Sequence, residues 1–240
     1  MEINQTKPKY SRVLLKLSGE ALAAGSDDIL NFDFIRTVAA VVKKCCDAGV
    51  QVTLLCGAGN IWRGRQGGKM NRTRADHMGM LATTINAFAL KDTFEQEGLD
   101  AVVLSAVKMD TFADYYTARD AIVALEAGKI VILGGGTGLP YFSTDTAAAL
   151  RAAEIEADVV LMAKNIDAIY SADPKIDPNA TRYEELTYME ILEKNLRALD
   201  MSAATFCQDN GIRCYAFGLS DPENILRVVM GEKIGTEIHC

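Results

Sequence analysis

The chain has 240 residues and a formal net charge of −7, which disfavours broad binding to nucleic acid or to a membrane surface, because both require a basic face. No apolar run approaches the roughly 18 residues that a membrane span requires, and the polar start of the chain lacks the apolar segment of a signal peptide. We therefore expect a cytoplasmic protein with neither nucleic acid nor membrane as a partner. The length fits one domain over residues 1–240, with residues 1–10 as a loose leader.

Short apolar runs alternate with segments of helical periodicity along most of the chain. The runs predict strands at 12–17, 50–56, 101–104, 129–133, 158–162, 213–217 and 235–239. The periodic segments predict helices at about 34–48, 75–97, 117–127, from 144 onward, and at 187–195, 203–210 and 222–230. Residues 163–186 are rich in turn residues and interrupt the alternation. Strands that alternate with helices predict an α/β fold whose mostly parallel sheet is covered on both faces.

A glycine-rich segment follows the strand predicted at 129–133. It reads Leu-Gly-Gly-Gly-Thr-Gly-Leu-Pro-Tyr-Phe-Ser-Thr-Asp-Thr over residues 133–146 and leads into a helix. Successive glycines let backbone N–H groups converge on an anion, and Ser143 or Thr144 can cap a helix whose N-terminus attracts phosphate. A tight connection without a ligand is the alternative, but four glycines within five residues favour a phosphate site.

Lys16 lies near the carboxyl end of an otherwise apolar predicted strand, where an unpaired ammonium group is costly to bury. Open α/β sheets bind ligands outside the carboxyl ends of their strands, so we expect Lys16 to point toward a phosphate. Ser18 and Gly19 follow directly and can add a hydroxyl and a backbone N–H group. The alternative is a lysine whose ammonium group extends past the sheet edge into water.

A second glycine turn, Gly-Ala-Gly-Asn over residues 57–60, follows the strand predicted at 50–56. Trp62 stands where the dinucleotide-binding pattern G-x-G-x-x-G requires its third glycine, and the pattern G-x-x-x-x-G-K-[ST] occurs nowhere in the chain. Arg63, just beyond the turn, could grip a phosphate with two parallel hydrogen bonds. A solvated surface arginine is the alternative.

Asp76 and Asp145 lie at the starts of predicted helices, a position that often serves only the helix dipole. Because Asp145 also belongs to the glycine-rich segment, it is a candidate to bind Mg²⁺ or to orient Lys16. Tyr170 and Asp173 lie in the irregular segment, either beside an adenine or in an ordinary turn. Two anion-binding turns, a strand lysine and these acids together indicate phosphoryl transfer, which needs positioning and charge neutralisation more than covalent help.

Several segments resemble the bacterial UMP kinases of the amino acid kinase family, and they occur in family order along nearly the whole chain. They are residues 14–22, 57–64, 76–83, 136–145, 154–158, 172–174 and 228–232. The segment Asp-His-Met-Gly-Met-Leu-Ala-Thr at 76–83 is specific to the UMP kinase branch. The resemblance implies a three-layer α/β/α sandwich that transfers the γ-phosphoryl group of ATP to UMP, with Mg²⁺ as cofactor, in pyrimidine nucleotide synthesis.

The resemblance also implies roles for individual residues. Lys16 and Asp145 would be catalytic, with Asp145 organising the metal, and Asp76 would bind the ribose hydroxyls of UMP. The residues implied at ATP are Lys16, Leu17, Ser18, Gly19, Gly59, Arg63, Lys164, Asn165, Tyr170 and Asp173. Those implied at UMP are Ala58, Asp76, Thr137, Gly138, Leu139, Pro140, Tyr141, Phe142, Ser143 and Thr144. A homo-oligomer, most often a hexamer, with UTP as an allosteric inhibitor is implied as well.

The sequence departs from the family pattern at Ala58 and Ala168, where glycine is usual, and at Lys164 and Asn165, which stand at the adenine-side threonine or asparagine. Two other functions are open. Another kinase of the family, acting on a carboxylate or carbamate, is disfavoured by Asp76 and the pyrimidine-loop match. A nucleotide-binding sensor or storage protein without catalysis is disfavoured because the chain retains Lys16 and Asp145.

Overall fold

The computed structural model describes residues 7–62, 68, 70–196 and 198–240. The strands of this part of the chain are β1 Arg12–Leu17, β2 Gln51–Cys56, β3 Ala101–Ser105, β4 Asp114–Tyr115, β5 Ile130–Gly134, β6 Val159–Lys164, β7 Ile169–Tyr170, β8 Arg182–Tyr183, β9 Glu185–Thr187, β10 Cys214–Gly218 and β11 Thr236–His239. Nine of them form one sheet in the order β4-β3-β5-β2-β1-β6-β10-β11-β9, and β7 pairs with β8 as a separate antiparallel ladder.

The large sheet is parallel at every described pair except β10 with β11. Its central strands are buried on both faces, as the continuous apolar runs predict for a parallel sheet covered by helices. Four neighbouring strands, β5, β2, β1 and β6, run in the same direction, so their carboxyl ends meet at one edge. This edge receives the glycine turns.

Helices cover both faces of the sheet. They are α1 Gly19–Leu22, α2 Phe32–Asp47, α3 Arg72–Gln96, α4 Ala118–Glu126, α5 Thr144–Glu154, α6 Tyr188–Glu193, α7 Met201–Asp209 and α8 Asn224–Val229. The core on one face joins α1, α2, α3 and α8 to the sheet, and the core on the other joins α4, α5, α6 and α7. The predicted three-layer α/β/α sandwich is therefore confirmed.

The alternating direction of the side chains along β1 decides which face of the sheet carries Lys16. Val13, Leu15 and Leu17 belong to the core beneath α2, whereas Leu14 belongs to the core beneath α5. Since side chains alternate along a strand, Lys16 shares the face of Leu14. The lysine therefore faces the layer that contains α5.

The predicted strands and long helices are all present, with ends displaced by a few residues. The long helix begins at Arg72 rather than at 75, because the Asn71 side chain accepts a hydrogen bond from the backbone N–H group of Arg74 and caps the helix there. Five of the described elements were not predicted, because they are too short to show a period: α1, β4, β7, β8 and β9. The described part of the chain contains no helix with the length and apolar character of a membrane span.

The end of the expected leader is ordered. Tyr10 is 5% exposed and belongs to the core beneath α2 and α8. The backbone N–H group of Lys9 donates to the Val229 carbonyl at 2.9 Å. Residues 9 and 10 thus belong to the packed structure, because the tyrosine ring has apolar surface to bury, while residues 1–6 lie outside the described residues.

Candidate active site

The two turns that follow β1 and β2 are in backbone contact. A Cβ atom added to Gly19 would lie 2.5 Å from the Gly59 nitrogen and 2.6 Å from the Gly57 oxygen. Only glycine allows this approach. The Gly57 N–H group also donates to the Leu17 carbonyl at 3.0 Å. The structure therefore brings the turn at residues 18–19 and the glycine turn at residues 57–60 together at one edge of the sheet.

The remaining residues of the first turn have structural partners. The Leu17 side chain is buried in the core, so that only its backbone is available to a ligand. Ser18 caps α1, and its hydroxyl accepts the Ala21 N–H group at 3.2 Å. Arg63 lies outside the described residues.

Lys16 and Asp145 form an ion pair across the layers. The Lys16 Nζ atom lies 3.0 Å from Asp145 Oδ1, and the side chains are 15% and 21% exposed. Asp145 occupies the first turn of α5, where the hydroxyl of Ser143 caps the helix. Burial alone would raise the pKa of Asp145, but the ammonium groups of Lys16 and Lys164 outweigh it, and the pKa lies below its ordinary value. The carboxylate is therefore ionised at neutral pH.

Asp200 is a residue of this site that the sequence did not single out. The hydroxyls of Ser143 and Thr146 both donate to its carboxylate, which also accepts the Ala203 N–H group at 2.7 Å. It ties the start of α7 to the start of α5. The available signal was an aspartate before a helical segment, which by itself indicates only an N-cap.

A pocket of about 400 Å³ opens beside the Lys16–Asp145 pair, a volume within the range of small-molecule sites. Most residues implied at UMP line it, although Gly138 and Pro140 belong to its loop without lining the cavity. The predicted residues in the lining are Ala58, Gly59, Asp76, Thr137, Leu139, Tyr141, Phe142, Ser143, Thr144 and Asp145. We call this cavity the acceptor pocket.

Asp76 links α3 to the glycine-rich loop. Its carboxylate accepts the Tyr141 backbone N–H group at 2.8 Å, and Arg72 Nε donates to its two oxygens at 2.9 and 2.8 Å. Tyr141 holds a positive φ of 71°, a conformation that non-glycine residues adopt only when the surroundings impose it. Asp76 is thus more than an acid at a helix start. Arg72, which also lines the pocket, was missed although its i,i+4 spacing to Asp76 is visible in the sequence.

A second pocket of about 430 Å³ lies beyond the carboxyl end of β6, and its lining includes Lys164, Tyr170 and Asp173. The hydroxyl of Tyr170 donates to Asp167 at 3.1 Å, and Asp173 Oδ1 accepts the Lys175 N–H group at 2.9 Å. Asn165 is exposed and is not in the lining. We call this cavity the donor pocket.

Comparison with known protein families shows to which family this chain belongs. The model of the amino acid kinase family matches residues 11–218. The chain belongs to the amino acid kinase family. Among solved structures, this family member is similar to a UMP kinase from Bacillus anthracis, with a TM-score of 0.92, 32% identity and 96% of both chains covered.

Two further structures extend the comparison. A UMP kinase from Ureaplasma parvum has a TM-score of 0.91 and 37% identity over 96% of this chain and 99% of its own. A uridylate kinase from Archaeoglobus fulgidus has a TM-score of 0.73 and 29% identity over 94% of this chain and 99% of its own. The sheet and both helical layers of this amino acid kinase are therefore those of an established nucleotide-kinase architecture.

Proposed function

We propose that this protein transfers the γ-phosphoryl group of MgATP to UMP, giving UDP and ADP. The observation that carries the proposal is the acceptor pocket, which contains both Asp76 and the Asp145 carboxylate paired with Lys16. The similarity to UMP kinases at 32% and 37% identity over 96% of the chain supports it.

The transfer needs no protein nucleophile. An ionised phosphate oxygen of UMP attacks the γ-phosphorus of ATP, the bond from that phosphorus to the β–γ bridging oxygen breaks, and its electron pair remains on ADP. Negative charge spreads over the transferring oxygens, and a fixed ammonium group stabilises it in a site that needs no reorganisation. Lys16 supplies that charge, and Asp145 holds the lysine in place.

Acceptor recognition falls to Asp76 and the loop after β5. An ionised carboxylate only accepts hydrogen bonds, so Asp76 suits the hydroxyls of a ribose. Residues Thr137 to Thr144, with Ala58, surround the uracil and the phosphate. Arg72 keeps the Asp76 carboxylate oriented toward the loop.

The donor pocket, whose lining includes Lys164, takes the ATP nucleoside beside Tyr170 and Asp173. The resemblance also implies Asn165 at ATP, although its exposed side chain is not in the lining. The triphosphate then runs along Lys16, the backbone of Leu17, Ser18 and Gly19, and the turn at Gly59. The resemblance assigns Arg63 to the same phosphates, and this residue lies outside the described ranges.

The residues present fit a magnesium ion held mainly by the substrate. In the described part of the chain no group of three or more acidic, histidine or cysteine side chains forms a metal cage. Mg²⁺ in kinases binds substrate phosphates and only one or two carboxylates, and Asp145 and Asp200 both line the acceptor pocket. Asp145 is the residue that would hold it, and the ion would neutralise the phosphate oxygens of ATP.

The protein should act as a homo-oligomer, most often a hexamer, with UTP as an inhibitor. Met78, Leu81 and Ile85 lie on α3 with exposed fractions of 37%, 55% and 51%. Contiguous apolar surface of this kind is typical of an interface.

A coupled assay of ADP release over UMP, CMP, dUMP, carbamate and acetylglutamate tests the proposed function. We expect UMP to give by far the highest kcat/KM. A preference for carbamate or acetylglutamate would assign the chain to another activity of its family. Nucleotide binding without ADP release would instead support the sensor or storage function.

A further inference from the structure

The Lys164 ammonium group lies on the same face of the sheet as Lys16. In the pairing of β1 with β6, Lys16 stands opposite Met162, and Met162 shares the core of Leu14 beneath α5. Lys164 follows two residues later at the end of β6, so its side chain leaves the sheet on that face. The two lysines are therefore neighbours, with Lys164 nearer the edge where ligands bind.

Lys164 also connects the two pockets. It lines the donor pocket, yet its ammonium group is close enough to Asp145, in the acceptor pocket, to lower the pKa of that carboxyl. Its Nζ atom donates to the Ala198 carbonyl, two residues before Asp200. The lysine stands where a chain of phosphates passes from a nucleoside in the donor pocket to the Lys16–Asp145 pair.

Within the described ranges, the charge of Lys164 has no counter-ion in contact. Among the residues that the structure describes, no carboxylate lies within 4.0 Å of its Nζ atom, since Asp145 pairs with Lys16 instead. Burial lowers the pKa of Lys164, whereas the nearby Asp145 carboxylate opposes that effect. An ammonium group carries three donors, and the Ala198 carbonyl takes one. An anion with several acceptor oxygens would satisfy the others.

We propose that Lys164 binds the β- and γ-phosphate oxygens of the donor nucleotide and is, with Lys16, a second cation of the phosphoryl-transfer site. This rests on the proposed kinase function and changes the place of Lys164 within it, from the adenine side to the phosphates. As the bond to the γ-phosphorus breaks, its electron pair collects on the β-phosphate of ADP, and Lys164 neutralises that charge.

The test compares Lys164→Met with Lys164→Arg and with Lys129→Met. Lys129 is 42% exposed and precedes β5 at the opposite edge of the sheet, so Lys129→Met removes the same charge away from both pockets. Calorimetric titration with ATP, ADP and adenosine, together with kcat and KM for ATP, gives the readouts, and thermal unfolding monitors the fold.

We expect Lys164→Met to weaken ATP and ADP binding while adenosine binding is unchanged, and to reduce kcat at saturating ATP about 100-fold. Lys164→Arg should retain most of the ATP affinity, and Lys129→Met should match the parent in nucleotide affinity and in kcat.

If Lys164→Met loses affinity for ATP and for adenosine equally, Lys164 lies at the nucleoside and the proposal is overturned. If Lys164→Met lowers the melting temperature but the folded variant binds ATP with unchanged affinity, Lys164 serves only to hold the Ala198 carbonyl, and the proposal is overturned as well.

The failure of the kinase function itself has a different signature. If the parent protein binds ATP but phosphorylates none of the acceptors, the proposed function fails in the parent, before any variant is compared. The difference between ATP and adenosine binding would still locate Lys164, because it requires no turnover.

Discussion

At the scale of single residues, the site depends on charges held in fixed positions by neighbours. Lys16 is fixed by Asp145, and Asp76 by Arg72 and the Tyr141 backbone. Phosphoryl transfer gains most from groups that need not reorganise as charge develops. The chemistry of each residue can therefore be tested by removing its charge while its shape is kept.

Lys16→Met should reduce turnover by several orders of magnitude and leave UMP binding and folding nearly intact. The lost ammonium group acts mainly when negative charge builds up on the transferring phosphoryl group. Steady-state kinetics with ATP and UMP, UMP titration calorimetry and thermal unfolding measure the three properties, with Lys129→Met as the control for loss of one positive charge. Near-normal turnover of Lys16→Met would exclude a catalytic role for Lys16.

Asp76→Asn should raise the KM for UMP about tenfold or more, because a hydrogen bond to a charged group is worth roughly 1.5–3 kcal/mol. The discrimination between UMP and dUMP should narrow, since the acceptor for the ribose hydroxyls is weakened. Kinetics with both nucleotides measure the effect. Asp92→Asn is the control, because Asp92 is an exposed acid of the same helix. Unchanged KM and kcat values for both UMP and dUMP would show that Asp76 has a structural role and does not bind the ribose.

Part of this candidate site could be recognised from the sequence by the types of residue at unusual positions. Lys16, Asp145 and the glycine turns could be recognised because each is unusual where it stands, a lysine in an apolar strand or glycines at strand ends. Asp200 could not, since its partner Ser143 lies 57 residues away and an aspartate before a helix is ordinary. The position of Lys164 beside Asp145 could not be predicted either, because it depends on the pairing of β6 with β1 and the sequence does not show which strands are neighbours.

At the scale of elements, the strands are fixed by continuous apolar runs and the long helices by their periods and caps. The glycine turns matter through their backbones: the turn after β2 meets the start of α5, where a Cβ atom on Gly57 would lie 3.6 Å from Thr144 Oγ1. The sequence did not predict α1, β4, β7, β8 and β9, which have two to four residues each, because so short a segment carries no clear period and its conformation is decided by tertiary contacts.

Ala58→Gly tests what the turn after β2 requires. The non-glycine residues with positive φ in the described part of the chain are Tyr141, Glu156 and Asn195, so Ala58 holds a negative φ that alanine adopts without strain. The glycine variant should be less stable by about 0.4–1 kcal/mol, because glycine frees the unfolded chain. Its KM for UMP should stay within about threefold of the parent, since tenfold corresponds to about 1.4 kcal/mol.

Thermal unfolding and UMP kinetics of Ala58→Gly give both values. A higher melting temperature, or UMP affinity improved tenfold, would show that the Ala58 methyl group obstructs the acceptor pocket.

At the scale of the whole molecule, the apolar face of α3 predicts assembly. Light scattering at micromolar concentration should report an oligomer, most often a hexamer, of 26.0 kDa subunits. Leu81→Glu combined with Ile85→Glu should lower the mass, because two charges would then have to be buried in the interface. Val123→Glu, at a residue on α4 that is 57% exposed, is the matched control. A monomeric parent would contradict this assignment of the α3 surface.

The central claim is that this chain moves the terminal phosphoryl group of ATP onto the phosphate of UMP. It is tested most directly by incubating the protein with Mg²⁺, UMP and ATP that carries an isotopic label at the γ-phosphorus. We predict that the label appears as the β-phosphate of UDP in step with ADP release, and that Lys16→Met forms almost none. Label recovered as inorganic phosphate, or ADP release that does not depend on UMP, would contradict the account.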